Sequence, residues 1–316
     1  MINELENKIR EEARRLLESG EVKLVIGYAS GSAPFVTTPA FIEKPEDVDR
    51  LVWNPACANN LAVYIPKVGK TDKVAIVAKP CDVKSIVTLL QESQIERENV
   101  YIIGLTCGGI VESGELREAG IKLTEVTGLD WSGGKINVAT KSGEVSFEAA
   151  AVEKSGCRYC RSRTPVISDV IIGDEVTPEG VDEYQDGLPE STEERREYWA
   201  KQFERCIRCY ACRQVCPSCY CHTCFADRRD LKWITKRARG EEAWMFHATR
   251  AMHLAGRCIS CGECSRVCPV GIPVMKLTKE LEKHVKELWD FEAGMDPESE
   301  PALGTFTMED ADPLGH

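Results

Sequence analysis

The chain lacks several things that would settle its class at once. No apolar run approaches the roughly 18 residues of a membrane-crossing helix, so no direct membrane insertion is expected. The opening stretch, MINELENKIREEARRLLESG, is charged throughout and has no apolar centre of signal-peptide length. A cytoplasmic protein is expected. Basic residues are outnumbered, 40 Lys and Arg against 51 Asp and Glu, and the net charge of -11 makes nucleic acid a poor partner. No GxGxxG is present, so the standard dinucleotide fingerprint is missing. No Ser/His/Asp constellation appears either. His247, His253 and His284 fall on predicted helices, where packing or surface roles serve, and no catalytic side chain is expected.

What the chain has in excess is cysteine, 16 in 316 residues. In a protein whose thiols stay reduced, such density means metal rather than disulfides. Only Cys57, Cys81 and Cys107 lie in the first 150 residues; the other thirteen fall between Cys157 and Cys268 in tight clusters.

Periodicity divides the chain. Residues 4–19 carry Leu5, Ile9, Ala13 and Leu16 on one helical stripe, stopped by Gly20. EVKLVIGYA, KVAIVA and NVYIIGL read as short buried strands, and CDVKSIVTLLQES between the last two has helical spacing. This βαβ pattern predicts an α/β domain over residues 1–175 with a mostly parallel sheet. WSGGKINVATKSGEVSFEA predicts a hairpin around Lys-Ser-Gly. An acidic, Gly- and Pro-containing linker is expected over 176–191. An α-helical ferredoxin domain should follow over 192–292, with helices from Ser191 or Thr192 through Phe203, about 241–255 and about 274–290. The stretch 293–316 lacks periodicity and is expected to be disordered or to lie as an arm on a partner.

Two runs carry the strongest chemical signal. CIRCYACRQVCP supplies Cys206, Cys209, Cys212 and Cys216; CISCGECSRVCP supplies Cys258, Cys261, Cys264 and Cys268. Both are C-x2-C-x2-C-x3-C-P, in which three thiolates face one cubane [4Fe–4S] cluster and the fourth reaches its neighbour. Cys206, Cys209, Cys212 and Cys268 are therefore expected to hold one cluster, and Cys216, Cys258, Cys261 and Cys264 the other. A further set, Cys157 and Cys160 with Cys221 and Cys224, predicts a third [4Fe–4S] cluster, in which Cys219 could replace one ligand. Zinc and unligated thiols are the alternatives there, and His222 is another candidate ligand. Arg208, Arg213, Arg257 and Arg266 interleave the motifs and suit hydrogen bonds to the clusters, a docking patch or a solvated face.

KPCDV and LTCGG put Cys81 and Cys107 at strand-to-helix turns on the carboxyl edge of the sheet, where cofactors bind. With YASGSA, they make Ser30, Gly31, Lys79, Cys81, Asp82, Cys107, Gly108 and Gly109 candidate contacts of a flavin, or of a docked partner. The bland alternative is tight turns with buried structural cysteines.

Two resemblances follow from these residues. HLAGRCISCGECSRVCPVGIPV, with about forty residues between the two motifs, resembles the helical dicluster domain of the heterodisulfide reductase C family, over residues 192–290. KVAIVAKPCDVKSIVTLL, IIGLTCGG and SGCRYC resemble the beta-subunit family of coenzyme F420-reducing hydrogenases and F420-dependent formate dehydrogenases, over residues 20–175. KPCD stands where that family has TPCQ, and the ferredoxin module follows the beta-subunit domain. The resemblance implies an oxidoreductase subunit passing single electrons within a hetero-oligomeric complex of the formate dehydrogenase, hydrogenase or heterodisulfide-reductase kind. It also implies, as the alternative, a subunit whose own FAD exchanges a hydride with F420 or another soluble coenzyme.

Overall fold

The computed structural model describes residues 2–68, 72–132, 134–176, 187–228, 230, 233–235, 240–302 and 304. The chain opens with α1 (Ile2–Glu18), β1 (Leu24–Ser30), β2 (Thr37–Ile42), α2 (Ile65–Val68), β3 (Val74–Ala78), α3 (Pro80–Gln91) and β4 (Val100–Leu105). It continues with α4 (Ser113–Glu118), β5 (Val126–Ser132), β6 (Lys135–Thr140), β7 (Gly143–Glu148), α5 (Ala149–Val152), α6 (Ser155–Arg158) and β8 (Val170–Ile172). The main sheet has the order β2-β1-β3-β4-β8. Its β1–β3, β3–β4 and β4–β8 pairings are parallel and β1–β2 is antiparallel. The α/β fold with a mostly parallel sheet is thus as expected.

Every residue of β3, VAIVA, is buried, as a central strand covered on both faces requires. Ile9, Ala13 and Leu16 of α1 are buried in the same core, at the spacing of one helical face. The edge strands β2 and β8 were not foreseen. β2 carries Pro39, which an edge position tolerates because no partner needs its missing N–H. β8 is only three residues long. The predicted hairpin is β6–β7, and β5 joins it in a three-stranded antiparallel sheet over its own small core of Leu116, Leu129, Ile136 and Val138.

Residues 177–186, the heart of the expected linker, lie outside the described residues. Helices then dominate: α7 (Thr192–Glu204), α8 (Ala211–Gln214), α9 (Gly240–Leu254), α10 (Glu263–Arg266) and α11 (Val274–Trp289). The Ser191 hydroxyl caps α7, accepting the Glu194 N–H at 3.2 Å. Trp199 and Phe203 of α7 form a buried cluster with Ala243 of α9 and Val274 of α11.

The stretch after α11 departs from expectation in its described part. It folds back on α3: Lys84 pairs with Glu292 at 3.1 Å, and the Gln91 amide donates to the Asp296 and Ser299 carbonyls. Gly294, at φ +76°, sits against Lys84, whose carbonyl oxygen would be 2.3 Å from an added Cβ. The helical part is thereby strapped onto α3. Residues 303 and 305–316 lie outside the described residues.

Candidate metal centres

The two cysteine runs fold alike. Arg208 and Ser260, third residues of C-I-R-C and C-I-S-C, both have φ +54°. Tyr210 and Gly262 follow in each run at +61° and +75°. One-turn helices, α8 and α10, complete both loops. Left-handed turns at non-glycine residues are costly. Here they turn the chain so that successive cysteines share one concavity. Backbone N–H groups point at sulfur, among them Arg208 at Cys206 Sγ (3.4 Å) and Ile272 at Cys268 Sγ (3.3 Å).

The structure sorts the eight thiols into two sets. Cys206, Cys209, Cys212 and Cys268 line one mostly apolar pocket with His247 and Ile272. Burial pushes the Cys212 thiol up to about 11, offset in part by Arg250 and reinforced by Cys206, Cys209 and Cys268. In the second set Cys258, Cys261 and Cys264 are each raised, by burial first; Cys216 is a charged neighbour of all three. Cys264 reaches about 12 and also feels Cys212 of the first set, so the two sets adjoin. Such crowded buried thiols stay protonated unless a positive centre takes their charge, which is what iron does. The all-sulfur donor sets therefore fit [4Fe–4S] clusters.

A third thiol set differs from the one the sequence suggested. Cys81 follows β3, Cys107 follows β4, and Cys157 and Cys160 lie on and just after α6; all four line a single cavity. Burial pushes Cys157 up to about 12, against the pull of Lys154, with Cys107 adding to the rise. Cys107 is raised by burial, with Arg163 opposing and Cys160 adding. The Cys160 thiol donates to the Ser162 carbonyl at 3.0 Å. Ile259, Ser260 and Cys261 close the same cavity from the helical side. Topology explains the gathering: parallel strands β3 and β4 deliver their following turns to one edge, and α6 lies over it.

Cys219, Cys221 and Cys224 line a different feature, a groove that also takes His222, Arg213 and Arg250. Cys216 donates to Cys219, which is held down to about 7, mainly by that bond. Arg213 hydrogen-bonds Cys224 and pairs with Asp227 at 2.7 Å. The two CxxC pairs expected to share a cluster thus line separate cavities, and the partners of Cys157 and Cys160 in theirs are Cys81 and Cys107.

The eight candidate flavin contacts do not form a flavin cradle. Lys79 and Asp82 are fully buried and pair with each other at 3.0 Å. Asp82 accepts the N–H groups of Lys79 (2.8 Å) and Leu61 (3.0 Å), while Lys79 Nζ donates to the Asn59 carbonyl at 2.7 Å and contacts the Tyr28 hydroxyl. Gly31 is pressed on Val36, Gly108 on Trp131 and Gly109 on Glu153, so an added Cβ would clash at each. Ser30 is exposed at the end of β1. Only Cys81 and Cys107 face a common cavity, the four-thiol one. These eight residues do not fit the group.

His247 was read as a packing or surface residue. It does stack on Phe203 (ring centroids 4.6 Å apart), but its Nε2 lies 3.4 Å from Cys206 Sγ. Burial, then Arg250, holds its pKa down to about 4, so the ring is neutral. Nothing in its sequence position announced this contact.

Adjoining thiol sets, on a helical module docked to a mostly parallel α/β sheet, give this chain the donor sets of an iron–sulfur electron-transfer protein. Residues 71–188 match the family described as the C terminus of the coenzyme F420 hydrogenase/dehydrogenase beta subunit, and residues 201–272 match the 4Fe-4S dicluster domain. The chain is 28% identical to the F420-dependent formate dehydrogenase 1 subunit beta of Methanococcus maripaludis, over 92% of this chain and 90% of that one. It is 25% identical to the F420-dependent formate dehydrogenase subunit beta of Methanocaldococcus jannaschii, over 89% of each. A chain of the F420-reducing [NiFe] hydrogenase complex from Methanosarcina barkeri aligns over 50% of this chain and 58% of its own, with TM-score 0.40 and 20% identity. Among the described residues no helix is long and apolar enough to cross a membrane.

Proposed function

We propose that this subunit holds three [4Fe–4S] clusters in series within a cytoplasmic, anaerobic oxidoreductase complex of the formate dehydrogenase or hydrogenase type. Cys81, Cys107, Cys157 and Cys160 hold the first. Cys216, Cys258, Cys261 and Cys264 hold the second, and Cys206, Cys209, Cys212 and Cys268 the third. Bound there, the clusters would accept and release single electrons. The protein's part is to hold them close: Cys261 lines the first cavity while serving the second set, and Cys212 neighbours Cys264 between the second and third. Cys209 is exposed, which suits exchange at that end. The observation that carries this reading is the convergence of Cys81, Cys107, Cys157 and Cys160 on one cavity whose far wall is Cys261. The names of the relatives support formate or hydrogen as the ultimate donor and F420 as the soluble partner; a heterodisulfide-reductase-like complex is the other assembly this module suits.

Anaerobic purification with iron, sulfide and flavin determination tests it. About twelve iron atoms per chain are expected from three cubane clusters. About eight would remove the first site, and about four or fewer would overturn the reading altogether. The relatives' F420 dependence favours a second reading, in which FAD bound away from those eight residues serves the deazaflavin directly. Stoichiometric flavin on the isolated chain would decide for it.

A further inference from the structure

Lys154 is a buried cation where the two parts of the molecule meet. It immediately precedes α6, its backbone N–H donates to Ile110, and its side chain is 3% exposed. Its Nζ donates to Glu263 Oε1 at 2.7 Å and to the Ala58 carbonyl at 3.3 Å. Glu263 is 1% exposed and lies between Cys261 and Cys264 in sequence. It is shared: Arg266 donates to its two oxygens at 3.0 and 2.6 Å. Two cations thus share this carboxylate, and Glu112 is a charged neighbour of both. Nearby, Arg163 pairs with Glu153 at 3.1 Å. The thiols that feel Lys154 belong to two sets, Cys157 and Cys81 on one side and Cys261 on the other. None of the Cys206 set is among the charges that weigh most on it.

We infer that Lys154 sets the reduction potentials of the two centres that meet at this contact, raising both together while leaving the Cys206 centre alone. The inference rests on the three-cluster reading above. Its physics is Coulombic. Reduction adds one negative charge to a cluster that is already anionic, and a fixed cation behind low-dielectric walls favours the reduced state. Because the ammonium stands between the two centres, it lifts both, and the hop from one to the other stays near level. One electron leaves one cluster and enters the other; no bond is made or broken, and Lys154 keeps its proton. Salt-bridge glue alone would require only the Lys154–Glu263 pair, with no consequence for potentials.

The test is an EPR-monitored redox titration of the anaerobic complex, with iron counted in every variant. Lys154→Met should move two clusters to lower potential and leave the third in place, at full iron. Glu263→Gln removes the opposing charge and should move the same two upward, a reversal of sign that general loosening does not produce. Lys154→Arg should restore near-native potentials. Unchanged potentials in Lys154→Met at full iron, or an equal shift of all the clusters, would overturn the inference. If the native chain holds only two clusters, the three-cluster reading fails separately. The centre that includes Cys261 must then still shift, and the Cys206 centre must not.

Discussion

Gly156 and Cys261 touch backbone to backbone across the junction of the sheet and the helical module. A Cβ on Gly156 would lie 2.5 Å from the Cys261 carbonyl oxygen and 2.9 Å from the Gly262 nitrogen. No side chain fits there, and no flexible group can yield. Gly156→Ala should therefore push α6 off the cysteine loop, with a cost of about 1–3 kcal/mol, as overpacking usually has. A lowered unfolding temperature, with slower electron exchange between the centres by rapid-freeze EPR, is the expected result; native values of both would contradict the contact.

Iron content separates the two thiol arrangements. Cys107→Ser or Cys160→Ser should lose about four iron atoms per chain, the content of one cubane. Cys221→Ser and Cys224→Ser should lose none. The reverse pattern would return the third cluster to the ligand set suggested by the CxxC pairs.

Asp82→Asn leaves the fully buried Lys79 ammonium without its carboxylate. Breaking a buried pair from one side costs about 3–5 kcal/mol. Adding Lys79→Met should recover most of the loss, because the Asn oxygen still accepts from Leu61. Denaturant midpoints of the two variants measure this; equal midpoints would argue against the pair.

With Cys206 as a thiolate, the neutral His247 ring must donate from Nε2. His247→Phe keeps the stack on Phe203 and deletes the donor. Hydrogen bonds to sulfur raise cluster potentials, so the Cys206 centre alone should titrate lower, at full iron. A shift in the Cys261 centre instead would misplace the donor.

Stripping iron should unfold the parts unequally. The loops joining α7 to α8 and α9 to α10 are organised around thiols, and structure built on metal is lost with it. The core around Val25, Ile76 and Ile102 is built chiefly of aliphatic side chains, although Cys107 and Cys157 belong to it. Hydrogen exchange should collapse over residues 192–290 while β1, β3 and β4 stay protected. Uniform loss along the chain would contradict two separately founded cores.

The duplicated cysteine runs were readable because their information is local: four ligand positions within eleven residues, twice. The parallel strands were readable because β1, β3 and β4 are continuous apolar runs. β2 was hidden by Pro39 and its threonines, and β8 by its brevity. The four-thiol cavity was hidden for another reason. Cys81, Cys107 and the Cys157–Cys160 pair come from three segments, and only strand order brings their turns to one edge. Sequence spacing suggested pairing two similar CxxC motifs, and it had no means of weighing a lone cysteine after each strand. KPCD showed a lysine and an aspartate at the turn but not that they neutralise each other beneath it.

The near-identical turns at Arg208 and Ser260, and at Tyr210 and Gly262, have a consequence for how the two ferredoxin-type centres come to differ. If both loops offer their clusters the same peptide dipoles at the same angles, the main chain cannot distinguish one from the other. Any downhill bias along the wire must then be written by side chains, an arginine against a serine and a tyrosine against a bare glycine. Direction of flow becomes a property that a handful of substitutions could reverse without disturbing the scaffold.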